Sequence, residues 1–145
     1  KEIPGLDVTV KMDNIGTVID FADVVVDILP QTDETYRVFD DALFSRMKKG
    51  VLFVNVGRGV TVDSDSLIKA LDNGTVAFAA LDVFEVEPLP ADSALWSHPR
   101  VLISPHTAAI SSQEEERIAR RFADDATRLL DGRPLNSPVN TVEFY

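Results

Sequence analysis

Four polar side chains of complementary chemistry follow three short apolar runs in the middle of this sequence. Arg58 stands between two glycines after the first run, Glu85 and Glu87 follow the second, and His106 follows the third. A guanidinium group can hold a carboxylate through two parallel hydrogen bonds. An imidazole can exchange a proton near neutral pH, and a buried carboxylate beside it favours the protonated ring and fixes its orientation. These residue types therefore suit the binding of an organic acid and proton transfer to it.

The apolar runs indicate the elements that position these side chains. Each run is short, rich in apolar residues and followed by turn residues, which is typical of a buried strand in a parallel sheet. In open parallel sheets the ligand crevice lies beyond the carboxyl ends of the strands. We therefore expect Arg58, an acid of the second run and His106 to meet at one edge of a sheet.

Strands alternate with helices along most of the chain. Four segments have the pattern of buried strands: Val24–Leu29 (ended by Pro30), Val51–Val56, Val76–Val83 and Val101–Ile103. Three segments have helical spacing and capping residues: one from Asp40 or Asp41 to Gly50, one from Asp63 or Ser64 to Asn73-Gly74, and one from Ser111 or Ser112 to about Leu130. This alternation predicts an α/β fold with a parallel sheet.

The remaining segments give weaker signals. Residues 1–22 have room for a short strand at Val8 and Val10 and a short helix over Ile15–Ala22, and prolines make the segment around Trp96 a loop. Residues 135–145 have the pattern of an irregular tail. The apolar stripe of the last helix is expected to pack in the core; its members are Ile118, Phe122, Ala126 and Leu129.

Composition narrows the class of protein. A chain of 145 residues with 45% hydrophobic residues suits one domain with a real core. A net charge of −10 without a basic block argues against a nucleic-acid partner. The absence of cysteine and the wide separation of the two histidines give no metal-ligand spacing, and a reducing, cytoplasmic setting fits. No signal peptide and no run of about 18 apolar residues is present, so we expect no membrane association.

One motif of nucleotide-binding sheets is missing. A complete dinucleotide-binding domain begins with a strand, a G-x-G-x-x-G turn and a helix that hold the pyrophosphate. The seven glycines of this chain form no such cluster. The chain is therefore either not a dinucleotide binder or the second half of one.

Three motifs favour the second option. Asn55–Gly59 (NVGRG), Leu81–Pro88 (LDVFEVEP) and Ser104–Ala109 (SPHTAA) resemble, in the same order, the catalytic segments of the D-isomer-specific 2-hydroxyacid dehydrogenases. Leu29–Thr35 is similar to that family's LP-x-T-x-E-T segment, and Pro88–Trp96 most resembles the glyoxylate/hydroxypyruvate reductase branch. The resemblance implies a Rossmann-like NAD(P)-binding domain. It places residues 1–145 as its carboxy-terminal part, without the G-x-G-x-x-G half and the substrate domain.

The resemblance also implies roles for individual residues. Arg58 would bind and polarise a small 2-keto or 2-hydroxy acid, and His106 would move a proton. The family's glutamate comes five residues after Asp82, which selects Glu87 as the partner of His106 and leaves Glu85 as an exposed acid of the loop. NAD or NADP would be contacted by residues at the strand ends: Leu29, Pro30, Val56, Gly57, Arg58, Asp82, His106 and Ala108.

Each assignment has a purely structural alternative. Arg58 could form a surface ion pair, His106 could be a turn residue, as we expect for His98, and Asp82 could be a strand-end carboxylate bound by backbone amides. For the whole chain, the resemblance implies an NAD(P)-dependent reductase that forms homodimers when full-length, this chain being an inactive fragment of it. The alternative is a non-catalytic dehydrogenase-like module that binds proteins, as in co-repressors of the family.

Overall fold

The computed structural model describes residues 5–136 and 138–139, and the chain divides into two compact units, residues 1–108 and 109–145. The first unit contains a four-stranded parallel sheet in the order β1-β2-β3-β4, which is also the order along the chain. Its strands are β1 (Val24–Asp27), β2 (Val51–Asn55), β3 (Val76–Leu81) and β4 (Val101–Ile103). Its helices are α1 (Gly16–Ile19), α2 (Asp41–Arg46) and α3 (Ser64–Asp72). The α/β prediction with a parallel sheet is confirmed.

The core lies on one face of the sheet. Phe53 in the middle of β2 is fully buried and packs edge-on against Phe39 and Phe44, with ring centroids 5.1 and 5.4 Å away. Leu67 and Leu71 of α3 are also fully buried in this cluster. Alternate residues of β1 and β2 point to this face, as the two-residue repeat of a strand requires, whereas β3 is irregular between Val76 and Ala79.

The opposite face of the sheet is exposed, which differs from the sequence prediction of strands buried on both sides. Val26 of β1 is 54% exposed, Leu52 of β2 is 45% exposed and Leu102 of β4 is 58% exposed. The apolar runs could not reveal this difference, because a run of hydrophobic residues has the same composition whether one face or both are covered.

Aspartates cap the two longer helices of this unit. Asp40 accepts a hydrogen bond from the Leu43 amide at the start of α2, and Asp63 accepts one from the Ser66 amide at the start of α3, each at 2.9 Å. Both alternatives left open by the sequence are thereby decided. α2 ends at Arg46, earlier than expected, because Met47 already has extended backbone angles.

Several smaller expectations need correction. Val8 and Val10 lie in irregular structure rather than a strand, and the helix expected over Ile15–Ala22 is limited to α1. A short 3-10 helix, Ala94–Ser97, interrupts the loop around Trp96. β1, β2 and β3 end at Asp27, Asn55 and Leu81, one or two residues before the predicted ends.

The second unit consists mainly of α4 (Glu114–Leu130). It begins two to three residues later than predicted, with three glutamates in its first turn and Arg128 in its last, the charge order that a helix dipole favours. No residue of α4 is buried, and Ile118 and Phe122 are largely exposed. The prediction that this stripe packs in the core is therefore wrong. The tail predicted for 135–145 lies mostly outside the described residues.

Candidate active site

Two glycines let the turn that carries Arg58 lie between the ends of β1 and β3. A Cβ on Gly57 would approach backbone atoms of Leu29 to 2.8 Å, and a Cβ on Gly59 would approach the carbonyl carbon of Phe84 to 1.8 Å. These distances are too short for any side chain, so backbone meets backbone on both sides of the turn. The position of Arg58 is thereby fixed by its neighbours in the chain.

Hydrogen bonds to buried polar side chains also fix this turn. The Asn55 side chain accepts the Gly57 amide at 2.9 Å and donates to the Arg58 carbonyl at 3.2 Å. The Thr61 hydroxyl lies 2.6 Å from that carbonyl and is hydrogen-bonded to Asp27, which is also fully buried. Burial raises the pKa of the Asp27 carboxyl, and its hydrogen bonds offset only part of this effect.

The guanidinium group of Arg58 is exposed. Its Nη1 donates to the Gly57 carbonyl at 2.8 Å, and it forms no ion pair with any residue among 5–136 and 138–139. The alternative of a surface ion pair therefore has no support in the described part of the chain. The remaining N–H groups can receive a carboxylate from outside the protein.

Glu87 and His106 form a close pair. His106 Nδ1 lies 2.9 Å from Glu87 Oε2, and the other carboxylate oxygen accepts the Phe84 amide at 2.9 Å. Burial alone would raise the pKa of Glu87, but the His106 contact, the Phe84 amide and the nearby charge of Arg58 together lower it. An ionised Glu87 requires a proton on Nδ1, which leaves Nε2 of His106 as the nitrogen that can exchange a proton.

His106 itself has an unusual backbone conformation. Its φ angle is +55°, in the left-handed region that costs a residue with a side chain about 1–2 kcal/mol. The His106 amide donates to the Asp82 carbonyl, and the Asp82 carboxylate accepts the amides of Thr107 and Ala108, each at 2.8 Å. Asp82 is 5% exposed. Burial would raise its pKa, but hydrogen bonds from the Ser104 side chain and these amides outweigh it and lower the pKa.

Glu85 has a defined partner, contrary to expectation. Its carboxylate is hydrogen-bonded to Arg37, with Nε at 2.8 Å, and accepts the Ser64 hydroxyl at 3.2 Å. Arg37 also lies 3.1 Å from Asp63 at the start of α3. This cluster could not be predicted from the sequence, because Arg37 and Glu85 are 48 residues apart in the chain and no motif contains both. Glu85 therefore links its loop to α3, two residues before Glu87.

A cavity of about 500 Å³ opens beside the Glu87–His106 pair. Its other lining residues are mainly apolar: Phe84, Pro88, Leu89, Trp96, Ile103 and Pro105. The Glu87–Pro88 peptide bond is cis. The pair thus has one side towards a largely apolar space that can receive a small molecule, while the side chains of His106 and Glu87 are 50% and 38% exposed rather than buried as expected.

The residues expected at the cofactor do not all line one depression. Val56, Asp82 and Ala108 line a shallow depression of about 150 Å³ on the exposed face of the sheet, with apolar side chains of β2, β3 and β4 as its floor. Leu29 and Pro30 follow β1, outside this depression. A flat aromatic ring with an amide group, such as nicotinamide, fits an apolar floor beside buried polar groups. The described chain offers no glycine-rich turn for the pyrophosphate, so the fit covers only the nicotinamide end.

His98 has the structural role expected for it. Its side chain is largely buried, its Nδ1 accepts the Arg100 amide at 3.2 Å, and its Nε2 lies 3.5 Å from Asp72. Among the described residues, no group of three or more histidine or acidic side chains could hold a metal ion. None of the helices there is long and apolar enough to cross a membrane.

Comparison with known proteins places this arrangement in a family. Residues 4–108 match the family model described as D-isomer specific 2-hydroxyacid dehydrogenase, NAD binding domain. The chain is 40% identical over 127 residues to glyoxylate/hydroxypyruvate reductase B of Citrobacter koseri, a match that covers 88% of this chain and 39% of that protein.

Solved structures agree with this match. A D-isomer specific 2-hydroxyacid dehydrogenase of Xanthobacter autotrophicus in complex with NADPH and MES superposes with a TM-score of 0.82 at 35% identity, covering 92% of this chain and 54% of that one. An NADPH-dependent glyoxylate/hydroxypyruvate reductase of Sinorhizobium meliloti in complex with NADP and sulfate gives a TM-score of 0.82 at 30% identity, covering 92% and 43%. The chain thus spans about half the length of these relatives. It belongs to the D-isomer-specific 2-hydroxyacid dehydrogenase family, and residues 4–108 match the family's NAD-binding domain.

Proposed function

We propose that this chain supplies the catalytic part of an oxidoreductase that transfers a hydride between NAD(P)H and a small 2-keto or 2-hydroxy acid. Arg58, Glu87 and His106 are its catalytic residues in this proposal. The observation that carries it is the 2.9 Å contact between Glu87 and His106 at the same sheet edge as Arg58, whose guanidinium is exposed. A cation for a carboxylate and a poised acid–base pair are the two groups that reduction of a keto acid requires from the protein.

In the reducing direction, Arg58 holds the carboxylate of the keto acid and draws electron density towards its carbonyl oxygen. Nε2–H of protonated His106 donates a proton to that oxygen while C2 gains a hydride. Glu87 stabilises the imidazolium before the transfer and holds Nδ1–H after it. In the oxidising direction Nε2 takes the hydroxyl proton. One 2-keto acid, one reduced cofactor and one proton thus give one 2-hydroxy acid and one oxidised cofactor.

NAD or NADP supplies the hydride when bound. Residues at the ends of β1, β2 and β3 and in the loop after β4 would hold its nicotinamide end: Leu29, Pro30, Val56, Gly57, Asp82 and Ala108. The cofactors present in the Xanthobacter and Sinorhizobium structures support this assignment. Because the chain has no glycine-rich phosphate turn, we propose that it is active only together with a segment that supplies one.

Glyoxylate and hydroxypyruvate are the substrates that we propose. The names of the Citrobacter and Sinorhizobium relatives support this choice. The full-length enzyme would be a cytoplasmic homodimer, as the family resemblance implies. The alternative of a non-catalytic protein-binding module gains no support from the three relatives described above.

The test compares this chain alone with a chimera in which it replaces the matching part of the Citrobacter reductase. Oxidation of NADH and of NADPH is followed with glyoxylate and hydroxypyruvate. We expect activity in the chimera, a large loss of kcat in His106→Ala, and mainly a higher KM for the keto acid in Arg58→Lys, which keeps the charge but loses the two-pronged geometry.

Two matched variants control for loss of structure. His98→Asn keeps an acceptor for the Arg100 amide, and Arg120→Ala removes an exposed arginine of α4. Both should retain activity. If the chimera is active and His106→Ala and Arg58→Lys retain its kinetics, the assignment of catalytic roles is wrong.

A further inference from the structure

One buried aspartate binds the loop that carries His106 at three successive residues, two of them through its carboxylate. The backbone carbonyl of Asp82 accepts the His106 amide, Oδ1 accepts the Thr107 amide and Oδ2 accepts the Ala108 amide, each at 2.8 Å. These donors lie about 25 residues further along the chain, after β4. Asp82 directly follows β3, so the contact joins the ends of two neighbouring strands.

The left-handed backbone of His106 makes this arrangement possible. A residue with positive φ turns the next amides towards one point, which creates a concave anion site of backbone N–H groups. Here the anion is the protein's own carboxylate, which is 5% exposed. The unfavourable conformation at His106 persists because three hydrogen bonds to Asp82 determine it from both sides.

We propose that Asp82 is a positioning residue that acts through His106, holding the imidazole in register with Glu87 by fixing the backbone of residues 106–108. This inference rests on the proposed function only where it concerns turnover. Without the carboxylate, the two amides lose their acceptors and the loop relaxes towards ordinary backbone angles. The ring of His106 then moves away from Glu87, whose other oxygen stays bound to the Phe84 amide.

Asp82→Asn is the sharpest variant. An asparagine keeps the shape and one acceptor oxygen, but its NH2 group faces one of the two loop amides donor to donor. Asp82→Ala removes both acceptors and should have the larger effect. Asp40→Ala is the matched control, because Asp40 also accepts a backbone amide through its carboxylate but does so at the start of α2.

The two histidines of the chain provide the readout. In the neutral state His106 carries its proton on Nδ1, which faces Glu87, whereas His98 carries it on Nε2, because its Nδ1 accepts the Arg100 amide. The 15N shifts of the imidazole nitrogens distinguish these tautomers in the intact chain, without any substrate or cofactor. His98 therefore serves as an internal reference for His106.

We expect Asp82→Asn to move the His106 nitrogens from the Nδ1–H pattern towards the Nε2–H pattern, with His98 unchanged. The carboxyl resonance of Glu87 should titrate at higher pH than in the parent chain, because its contact with His106 is weakened. Asp40→Ala should lower stability and change neither signal. If Asp82→Asn lowers stability while both signals stay unchanged, the inference is overturned and Asp82 is merely structural.

Steady-state kinetics distinguish a positioning role of Asp82 from a role limited to contact with the cofactor. In the active chimera, Asp82→Asn should lower kcat about 10²-fold, the usual effect of misplacing a reacting group by about 1 Å, in addition to any rise in the cofactor KM from a weakened nicotinamide contact. A change confined to cofactor KM, with unchanged imidazole signals, would contradict the positioning role. If no chimera is active but the imidazole signals shift, the positioning of His106 holds and the proposed reaction fails.

Discussion

Gly59→Ala should be the most damaging single-methyl substitution in the turn that carries Arg58. The added Cβ would lie 1.8 Å from the carbonyl carbon, 2.0 Å from the carbonyl oxygen and 2.4 Å from the Cα of Phe84. All three are backbone atoms, so no side-chain rotation relieves the overlap. Inserting one carbon into a closely packed site costs about 1–3 kcal/mol, and an overlap this deep should reach about 3 kcal/mol. For a chain of this size that loss lowers Tm by roughly 10 °C.

Two other glycines provide a comparison for the stability loss predicted for Gly59→Ala. At Gly57 the Cβ would be 2.8 Å from backbone atoms of Ile28 and Leu29, a shallower overlap that still requires the backbone to move, so Gly57→Ala should cost about 2 kcal/mol. At Gly50 nothing lies within 4 Å of the added Cβ, but φ is +87°, so Gly50→Ala should cost about 1 kcal/mol through backbone strain alone. Urea unfolding of the three variants gives these free energies directly.

The site should respond to Gly59→Ala as well. Phe84 must move to accommodate the methyl group, and its amide donates to Glu87 at 2.9 Å. The pKa of the Glu87 carboxyl should therefore rise in Gly59→Ala and stay unchanged in Gly50→Ala, as measured by the pH titration of its carboxyl resonance. The reasoning is refuted if Gly59→Ala is no less stable than Gly50→Ala.

Two further predictions concern buried and paired acids. Burial raises the pKa of Asp27 in the folded chain. The stability that the protonated Asp27 side chain contributes is therefore complete below the unfolded-state pKa and is lost as the pH rises through the folded-state pKa. An asparagine at position 27 can still accept the Leu29 amide and donate to Thr61. Asp27→Asn should therefore be more stable than the parent chain at pH ~8 and about equally stable at pH ~4, as measured by urea unfolding. A variant that is less stable than the parent chain at pH ~8 would contradict this account. Glu85→Gln removes the negative charge that pairs with Arg37. It should lower the free energy of unfolding slightly at low salt but not at high salt, because salt screens exposed ion pairs. Equal losses of stability at both ionic strengths would show that the charge is not responsible.

The strands and helices of this fold were predictable from the sequence, because apolar runs, turn residues and capping residues all lie within the element that they indicate. Apolar runs ended by turn residues located all four strands, and capping aspartates located the starts of α2 and α3. The rule that ligands lie at the carboxyl ends of parallel strands then brought Arg58, an acid of the second run and His106 to one edge, and the family resemblance selected Glu87 as that acid. The contact between Glu87 and His106 is present in the structure; the roles of the three residues stay a prediction.

The features that the sequence did not reveal depend on distant partners. Glu85 pairs with Arg37 across 48 residues, a contact that neither composition nor spacing indicates. For Asp82, binding to backbone amides was one of the two expected roles, but the sequence did not indicate that these amides lie about 25 residues away, in the loop that carries His106. The exposed stripe of α4, which includes Phe122, looks the same in sequence as a buried one, because amphipathic spacing states which residues share a face and not what covers it.

Because the last strand is short, the part of the site that it carries can open without unfolding of the whole chain. β4 has three residues, none of them fully buried, and among the described residues it pairs only with β3. Such edge segments open by local fluctuation at a free energy below that of global unfolding. Opening of β4 would separate His106 from Glu87 while β1, β2 and the turn of Arg58 stay folded. Amide exchange at Ser104 and at residues 106–108 therefore reports how often the acid–base pair comes apart in a chain that is otherwise native.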